Sequence, residues 1–303
     1  MNNSLRNRLC MSLTRSKKTL ILGTANFGMP YGLGALGKNL ELLQVVDILE
    51  TAKSEGFLHL DTASSYEGSE KILGNVIPKN DNWQITTKLK QSECVSAGSI
   101  VQAVKKSLER TKQKKFWSVL LHHPQVLFES HSDEVLRGLR EVLDLELTQH
   151  VGISAYEELE IVQAKTVAPF LTAFQISENI CNQRMATSSN LIALASENNY
   201  IFVRSIFLQG LLLMDPHALP SKVASAKPSL HALRVFCENL NLTSLELCIG
   251  YAKSLTWSSG LIFGVNSQQH VLDISKAFNS VIDVDYSKVP KFDDWLLDPR
   301  NWS

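Results

Sequence analysis

The stretch that decides the fold is residues 57–74, FLHLDTASSYEGSEKILG. It begins with a short apolar run at 57–60, typical of a buried strand, and the pattern from residue 69 onward predicts a helix. Between them lie Asp61, at the expected carboxyl end of the strand, and Tyr66, in the loop that follows. The stretch therefore predicts a strand–loop–helix unit with an acid and a phenol in its loop.

Two further apolar runs end on side chains that can work with this pair. Lys88 closes the run QITTK, and His122 closes the run SVLLH. If the three strands are parallel neighbours, their carboxyl ends bring these side chains together at one rim. His123 is the alternative histidine, but the alternation of a strand places Leu120 and His122 on one face and His123 on the other.

Similar apolar runs recur along the chain, and most are followed by helical spacing. Strands are predicted at 19–23, 57–60, 84–88, 117–121, 151–154, 171–175, 201–205 and 260–264. Eight such units indicate an α/β fold, a (β/α)8 TIM barrel in a single domain, with the site at the carboxyl ends of the strands. We expect a flexible basic tail at 1–18, the barrel at 19–283, and an irregular C-terminal tail at 284–303 over the rim.

The composition favours a soluble globular protein, with 44% hydrophobic and 20% charged residues. Thirty basic and thirty acidic side chains cancel, so no field of one sign favours nucleic acid or a membrane surface as a partner. The five cysteines are scattered without CxxC spacing, which fits a reducing compartment. We therefore predict a cytoplasmic protein. We expect no metal site, because the histidines lack ligand spacing.

The set of side chains closely resembles the aldo-keto reductase family. The residues that carry the resemblance are LDTASSYEGSEKILG, the lysine of ITTKLK, and the histidine two residues before the proline of LLHHP. GTANFG at 23–28, VGISAY at 151–156, Gln175 and GVNS at 264–267 extend it. The resemblance implies reduction of a small-molecule aldehyde or ketone with NADPH, with NADH as the alternative cofactor.

The chemistry of carbonyl reduction suggests a role for each rim residue. Tyr66 can donate the proton, because a lysine ammonium such as Lys88 beside it lowers the pKa of a phenol. Asp61 can hold that ammonium, and His122 can orient the carbonyl by a hydrogen bond. The resemblance implies the same roles. Taken singly, Asp61 could cap its loop, Tyr66 could be a loop aromatic, and Lys88 and His122 could be ordinary polar groups at a barrel rim.

The resemblance also implies which residues bind the cofactor. Ser154 and Gln175 would hold the nicotinamide carboxamide, with Thr24 and Asp61 near its ribose. Ser205 begins SIFLQGLLL, which resembles the family's loop over the pyrophosphate. Gln175 could instead be a polar plug in the barrel core.

The chain departs from the family in the residues around the nicotinamide. Ala155 stands where asparagine is frequent, and Arg204 stands where many members stack an aromatic ring. A planar guanidinium can also stack on a ring, although Arg204 could instead pair with a barrel carboxylate.

The phosphate end of the cofactor site has the weakest match. Backbone N–H groups of Gly264, Asn266 and Ser267 could receive an anion at the start of the last helix. His270 stands where NADPH-preferring members often place lysine or arginine. Asn266 or Ser267 could instead serve only as the helix N-cap.

Two other functions stay open at this point. The family includes potassium channel beta subunits, so a nicotinamide-binding regulator with little turnover is one alternative. A barrel epimerase with Lys88 or His122 as its base is the other. The loops at the predicted rim contain no arginine cluster for a phosphate or dicarboxylate, which favours neutral sugars or small aldehydes as substrates.

Overall fold

Eight parallel strands form the framework of the chain, which the computed structural model describes over residues 18–33, 39–78 and 81–302. Strands β1 to β8 span Thr19–Gly23, His59–Asp61, Gln84–Leu89, Phe116–Leu121, Thr148–Ala155, Ala173–Ser177, Tyr200–Arg204 and Gly260–Gly264. Each strand pairs with the next, and β8 pairs with β1, so the sheet closes into a barrel. The predicted (β/α)8 TIM barrel in a single domain is therefore confirmed.

Helices follow the strands and pack side by side around the barrel. Helices α1 to α11 span Ala25–Gly28, Leu42–Ser54, Ser69–Val76, Ala97–Thr111, Ser132–Asp144, Glu158–Val167, Ser189–Ser196, Lys227–Asn239, Ser244–Ser254, Gln268–Asn279 and Asp294–Leu297. In α4, the N-cap Ser96 accepts a hydrogen bond from Ser99 N–H, and Ile100, Val104 and Leu108 are buried. That spacing is typical of a helix with one apolar face. No helix in the described part of the chain is long and apolar enough to cross a membrane.

The registers of β2, β3 and β4 bring the predicted catalytic positions to one end of the barrel. Asp61, the last residue of β2, lies opposite Thr86 of β3, and Lys88 lies further along β3 towards the same end. His122 follows β4 directly, and its backbone N–H donates to Leu89 O at 2.9 Å. This end, at the carboxyl ends of the strands, is the barrel rim.

The opposite end of the barrel is filled by rings that the sequence analysis does not single out. Trp117, near the start of β4, packs edge-on against His59 and Tyr200, with ring centroids 4.6 and 4.9 Å apart. His59 is 1% exposed. Its Nε2 lies 2.8 Å from Thr86 Oγ1. We call this group the barrel floor cluster; its members are His59, Trp117, His150, Tyr200 and Phe202.

One strand boundary matters for the site. β6 begins at Ala173 rather than at 171, because Leu171 N–H donates to Ala168 O in a turn. The strand then continues to Ser177. Gln175 therefore lies in the middle of β6 and not at its carboxyl end.

The two predicted tails have different outcomes. The N-terminal one lies outside the described residues except for Lys18, whose Nζ donates to Leu255 O at 2.6 Å and Ser258 O at 2.9 Å. The C-terminal one, predicted to be irregular, contains α11 and short 3-10 turns. Trp302 near its end is 3% exposed, so this segment packs against the rest of the chain.

Candidate active site

Asp61 and Lys88 form a buried ion pair at the rim. Lys88 Nζ donates to both carboxylate oxygens of Asp61, at 2.6 and 2.7 Å, and the Lys88 and Asp61 side chains are 1% and 6% exposed. Burial lowers the pKa of Lys88, and the Asp61 carboxylate opposes this effect. A buried pair needs further hydrogen bonds to be stable. Gln175 supplies one, since its Nε2 donates to Asp61 Oδ1 at 2.5 Å.

Tyr66 lies in the loop after β2, beside this ion pair. Lys88 Nζ is 5.2 Å from the centre of the Tyr66 ring. Two backbone hydrogen bonds fasten the loop to β3: Thr62 N–H donates to Thr86 O and Ser64 N–H donates to Lys88 O, both at 2.9 Å. The loop conformation, and with it the position of the phenol, is therefore fixed by the neighbouring strand.

The loop after β1 packs directly against the Tyr66 loop. A Cβ atom at Gly28 would lie 1.6 Å from the Glu67 carbonyl oxygen, so this close approach requires glycine. The Ser69 hydroxyl donates to Thr24 O at 3.0 Å and lies 2.9 Å from Thr24 Oγ1. Thr24, predicted near the cofactor ribose, thus also fastens the first two loops together.

The electrostatics of Tyr66 differ from the sequence prediction that Lys88 lowers its pKa. Burial is the largest influence and raises the pKa of Tyr66 above its usual range; the Asp61 carboxylate raises it further, whereas Arg204 lowers it. The net shift is upward and not downward as predicted, because burial is the largest influence and outweighs the neighbouring cations. Tyr66 therefore stays protonated at neutral pH, which is the state a proton donor requires.

His122 lies edge-to-face with Tyr66, with ring centroids 6.1 Å apart. Burial lowers the pKa of His122 to about 3, and Lys88 and His123 lower it further. The imidazole is therefore neutral at pH 7, and its Nδ1 lies 3.2 Å from Ser65 Oγ. His122 lines the cavity at the rim, whereas His123 is exposed and lies outside it.

The cavity at the rim has a volume of about 860 Å³. Its lining residues follow strands all round the barrel: Tyr66 after β2, His122 after β4, Ser205 after β7 and His270 in α10. Such a volume suits a small-molecule or cofactor site. Within the described ranges, no group of three histidine, cysteine or acidic side chains is arranged to hold a metal ion.

Arg204, at the end of β7, holds the place where the resemblance implies a stacked aromatic ring. Its guanidinium donates to Ser154 Oγ at 3.2 Å and to Ala155 O at 2.9 Å. It also lies 4.3 Å from the centre of the Tyr156 ring. Arg204 thus donates to oxygens of β5, and no carboxylate among the described residues pairs with it. Arg300 of the C-terminal segment lies 4.0 Å from the same ring, a contact that the sequence did not predict.

Ser154 and Gln175, the residues predicted to hold the carboxamide, lie at different depths in the barrel. Ser154 lines the cavity directly. Gln175 is fully buried behind Asp61, and its Oε1 has no hydrogen-bond partner among the described residues. Gln175 is thus a polar group of the barrel core that supports the ion pair, and its contact with a carboxamide stays a prediction.

The loop after β8 borders another part of the cavity. Gly264, Asn266 and His270 line it, and the space above the Gly264 Cα is open. Ser267 instead serves as the N-cap of α10, since its hydroxyl accepts from His270 N–H at 3.2 Å. The capping alternative therefore describes Ser267, while Asn266 faces the cavity.

The loop after β7 crosses this region in a strained conformation. Ser205, Leu208 and Gln209 have positive φ angles of 62, 49 and 53°, which are uncommon outside glycine. Leu33 N–H donates to Gln209 O at 3.0 Å, which ties the loop after β1 to the loop after β7. β8 lies between β1 and β7. Strain of this kind is typical of ligand sites.

Sequence reasoning missed one wall of the cavity. Arg234 of α8 lines it, together with Met214 and with Thr243 and Ser244 at the start of α9. Arg234 Nη2 donates to Met214 O at 2.9 Å. No motif marks these residues, because only tertiary packing brings helices from outside the barrel to the rim.

The chain is similar to known proteins in both sequence and structure. The family model described as "Aldo/keto reductase family" matches residues 19–292. An aldo-keto reductase from Klebsiella pneumoniae, solved in complex with NADPH, is 17% identical with a TM-score of 0.68, over 91% of this chain and 96% of that one. A Bombyx mori aldo-keto reductase in complex with NADP is 19% identical with a TM-score of 0.62, over 88% and 86%. At these identities the two structures show a shared fold.

Proposed function

The chain belongs to the aldo/keto reductase family, and we propose that it reduces an aldehyde or ketone to the alcohol with NADPH. Family membership confirms the predicted resemblance and the predicted oxidoreductase class. NADPH, which is bound in the Klebsiella pneumoniae structure, is the cofactor that we propose for this chain. One observation carries the proposed reaction. Tyr66, His122 and the Asp61–Lys88 pair lie against one another on the wall of one cavity.

Tyr66 supplies the proton that the carbonyl oxygen takes up. Burial raises the pKa of Tyr66, so the phenol is protonated before the reaction begins. As the proton leaves, negative charge moves onto the phenol oxygen, and the Lys88 ammonium beside the ring stabilises that charge. Asp61 holds Lys88 in place through two hydrogen bonds.

His122 orients the carbonyl. A neutral imidazole carries its proton on one nitrogen only. When the Ser65 hydroxyl donates to Nδ1, the proton lies on Nε2, which can then donate to the carbonyl oxygen. The lowered pKa of His122 keeps the ring in this neutral state throughout the physiological range.

The residues present fit a nicotinamide dinucleotide. A bound reduced nicotinamide supplies the hydride to the carbonyl carbon. Asn26 lines the cavity, and its Oδ1 is a buried acceptor without a partner among the described residues. A ligand with N–H or O–H groups would satisfy it. The residues that we assign to the cofactor are Thr24, Asn26, Ser154, Gln175, Arg204, Ser205, Gly264, Asn266 and His270.

We propose a small neutral carbonyl compound, sugar-like compounds included, as the substrate. Tyr31 and Tyr156 line the cavity, and a phenol hydroxyl can donate to or accept from a neutral substrate. The Tyr31 and Tyr66 ring centroids are 6.5 Å apart. Arg204, the cation on this wall, is engaged with β5. The cytoplasmic location stays a prediction from the sequence, as does the boundary between barrel and tail at 283 and 284.

The test follows the absorbance of NADPH, and separately of NADH, with an activated aromatic aldehyde. We expect turnover by the wild type and a loss of about 10²- to 10⁴-fold in Tyr66→Phe, because the variant lacks its general acid. Cofactor affinity should change little, since the ring remains. Tyr200→Phe is the matched control, because this tyrosine lies in the barrel floor cluster, at the end of the barrel opposite the cavity.

Each contrary result has its own meaning. Full activity of Tyr66→Phe would contradict the proton-donor role. Tight cofactor binding without turnover would favour a regulatory barrel. No binding of either cofactor would contradict the proposed function and favour another barrel chemistry.

A further inference from the structure

The loop that should meet the cofactor phosphates has no fixed positive charge. Residues 264–274 contain neither lysine nor arginine, although they border the cavity through Gly264, Asn266 and His270. A dinucleotide brings a pyrophosphate, and NADPH also brings a 2′-phosphate. Arginine is the side chain best suited to bind such groups, because its planar fork matches phosphate oxygens. A cation from another element would supply the charge that this loop lacks.

Among the described residues that line the cavity, the lysines and arginines are Lys88, Arg204 and Arg234. Lys88 forms an ion pair with Asp61. Arg204 donates hydrogen bonds to β5, on the side of the cavity where Ser154 lies. Of these cations only Arg234 lies outside the barrel strands and their immediate ends, on the wall formed by α8 and α9.

The Arg234 side chain is held in position. It is half-buried, and its Nη2 donates to Met214 O at 2.9 Å. Met214 ends the 3-10 turn in the loop after β7, the loop that resembles the family's cover over the pyrophosphate. A guanidinium has five N–H donors, so the bond to Met214 leaves others for phosphate oxygens.

Asp273 gives the same region a negative charge. It lines the cavity and accepts a hydrogen bond from Gln269 Nε2 at 2.8 Å. A carboxylate disfavours a phosphate beside it but is a good acceptor for a ribose hydroxyl. Arg234 and Asp273 together therefore provide one place for an anion and one for a hydroxyl.

From these contacts we infer that Arg234 binds a phosphate group of the dinucleotide, in place of a cation in the loop after β8. The inference rests on the proposed function, since it requires the cofactor in this cavity. It assigns a binding role to a helix that carries no family motif. It also predicts that cofactor affinity depends on a charge that lies far in sequence from every other site residue.

The test is a titration of the full-length protein with NADPH and with NADH, followed by fluorescence or calorimetry. Arg234→Gln removes the charge and keeps an N–H donor. Arg234→Lys keeps the charge. Lys227→Gln is the matched control, because Lys227 is an exposed cation on the same helix and does not line the cavity. Melting temperatures without cofactor show whether each variant folds.

We expect Arg234→Gln to weaken binding by roughly tenfold to hundredfold, the usual effect of losing a charge-assisted hydrogen bond. Arg234→Lys should recover part of the loss, and Lys227→Gln should bind as the wild type does. Added salt should weaken the wild type more than Arg234→Gln, since screening acts on the lost charge.

The two cofactors identify the phosphate. Equal weakening with NADPH and NADH would place Arg234 at the pyrophosphate, and weakening with NADPH alone would place it at the 2′-phosphate. Unchanged affinity of a folded Arg234→Gln for both cofactors would overturn the inference alone. A wild type that binds neither cofactor would overturn the proposed function as well.

Discussion

The barrel floor cluster contains a buried histidine and the barrel rim a half-buried one, and the pKa of both is shifted in the same direction. Burial lowers the pKa of His59 at the floor and of His122 at the rim to about 3. Their surroundings differ, because His59 packs against Trp117, whereas His122 lines a cavity of about 860 Å³. A shifted pKa thus reports burial at both ends, and only the adjoining cavity marks the rim as a candidate site.

Hydrogen bonding separates the two ends further. At the floor, His59 Nε2 lies 2.8 Å from Thr86 Oγ1, which in turn lies 2.8 Å from Ser118 Oγ. At the rim, Asn26 Oδ1 is buried beside the cavity without a partner among the described residues. A buried acceptor without a partner costs free energy. The polar groups of the floor are therefore paired with one another, whereas the rim leaves an acceptor open beside a cavity.

The largest effect should come from breaking the ion pair at the rim. We expect Lys88→Met to lower the free energy of unfolding by about 3–5 kcal/mol, because it leaves the Asp61 carboxylate buried without its counter-ion. Replacing both charges, as in Asp61→Asn with Lys88→Met, should restore much of that loss. Urea unfolding at pH 7 measures both differences.

The exposed ion pair of Arg137 and Glu134, with 2.6 Å between its atoms, is the control for this comparison. Arg137→Ala should cost less than about 1 kcal/mol, since surface pairs contribute little. If Lys88→Met cost no more than Arg137→Ala, the rim pair would not be the strongly coupled buried pair that its geometry indicates.

The barrel floor cluster should have a smaller effect, on the way the free energy of unfolding depends on pH. The pKa of His59 is about 3 in the folded protein, compared with 6.5 for a histidine exposed to solvent, as in the unfolded chain. Between these two pH values, the His59 position binds more protons in the unfolded chain than in the folded one. The contribution of neutral, buried His59 to the free energy of unfolding is therefore complete above pH 6.5 and is lost as the pH falls towards 3. At pH 4 the loss from His59 should be about 3 kcal/mol.

His59→Asn should flatten this dependence, because asparagine cannot titrate yet can still hydrogen-bond with Thr86. The variant will be less stable at pH 7, so the slope between pH 7 and pH 4 is the quantity to compare. His231→Gln, at an exposed position of α8, is the control. An unchanged slope in His59→Asn would show that other groups, such as His122, carry the acid sensitivity.

Much of the fold and part of the site could be predicted because both depend on local patterns. Buried parallel strands appear as apolar runs, and the strand ends then place Asp61, Lys88 and His122 at one rim. The boundary of β6 was less accurate, since the apolar run extends back to Leu171, which belongs to a turn. The resulting shift put Gln175 at a strand end in the prediction, although it lies deeper in the barrel.

The parts that could not be predicted depend on tertiary packing. Arg234 reaches the cavity from α8, and Trp117 packs on His59 from a different strand. The upward shift in the pKa of Tyr66 depends on the depth of burial and on the balance between Asp61, which raises it, and Arg204, which lowers it; a sequence does not give these. Local patterns thus predicted the strands and most polar residues at their ends, whereas contacts between distant elements and the depth of individual side chains could not be predicted.

The smallest effect should come from the stacking of Arg300 on Tyr156 at the outer rim, in contrast with the buried rings of the floor. Arg300 is exposed and lies 4.0 Å from the Tyr156 ring centre, and Arg204 lies 4.3 Å from it. We expect Arg300→Ala to lower stability by about 0.5–1 kcal/mol and to leave cofactor affinity unchanged, because Arg204 remains. Arg204→Ala is the contrasting variant and should weaken cofactor binding. A large loss of affinity in Arg300→Ala would instead make the C-terminal segment part of the site.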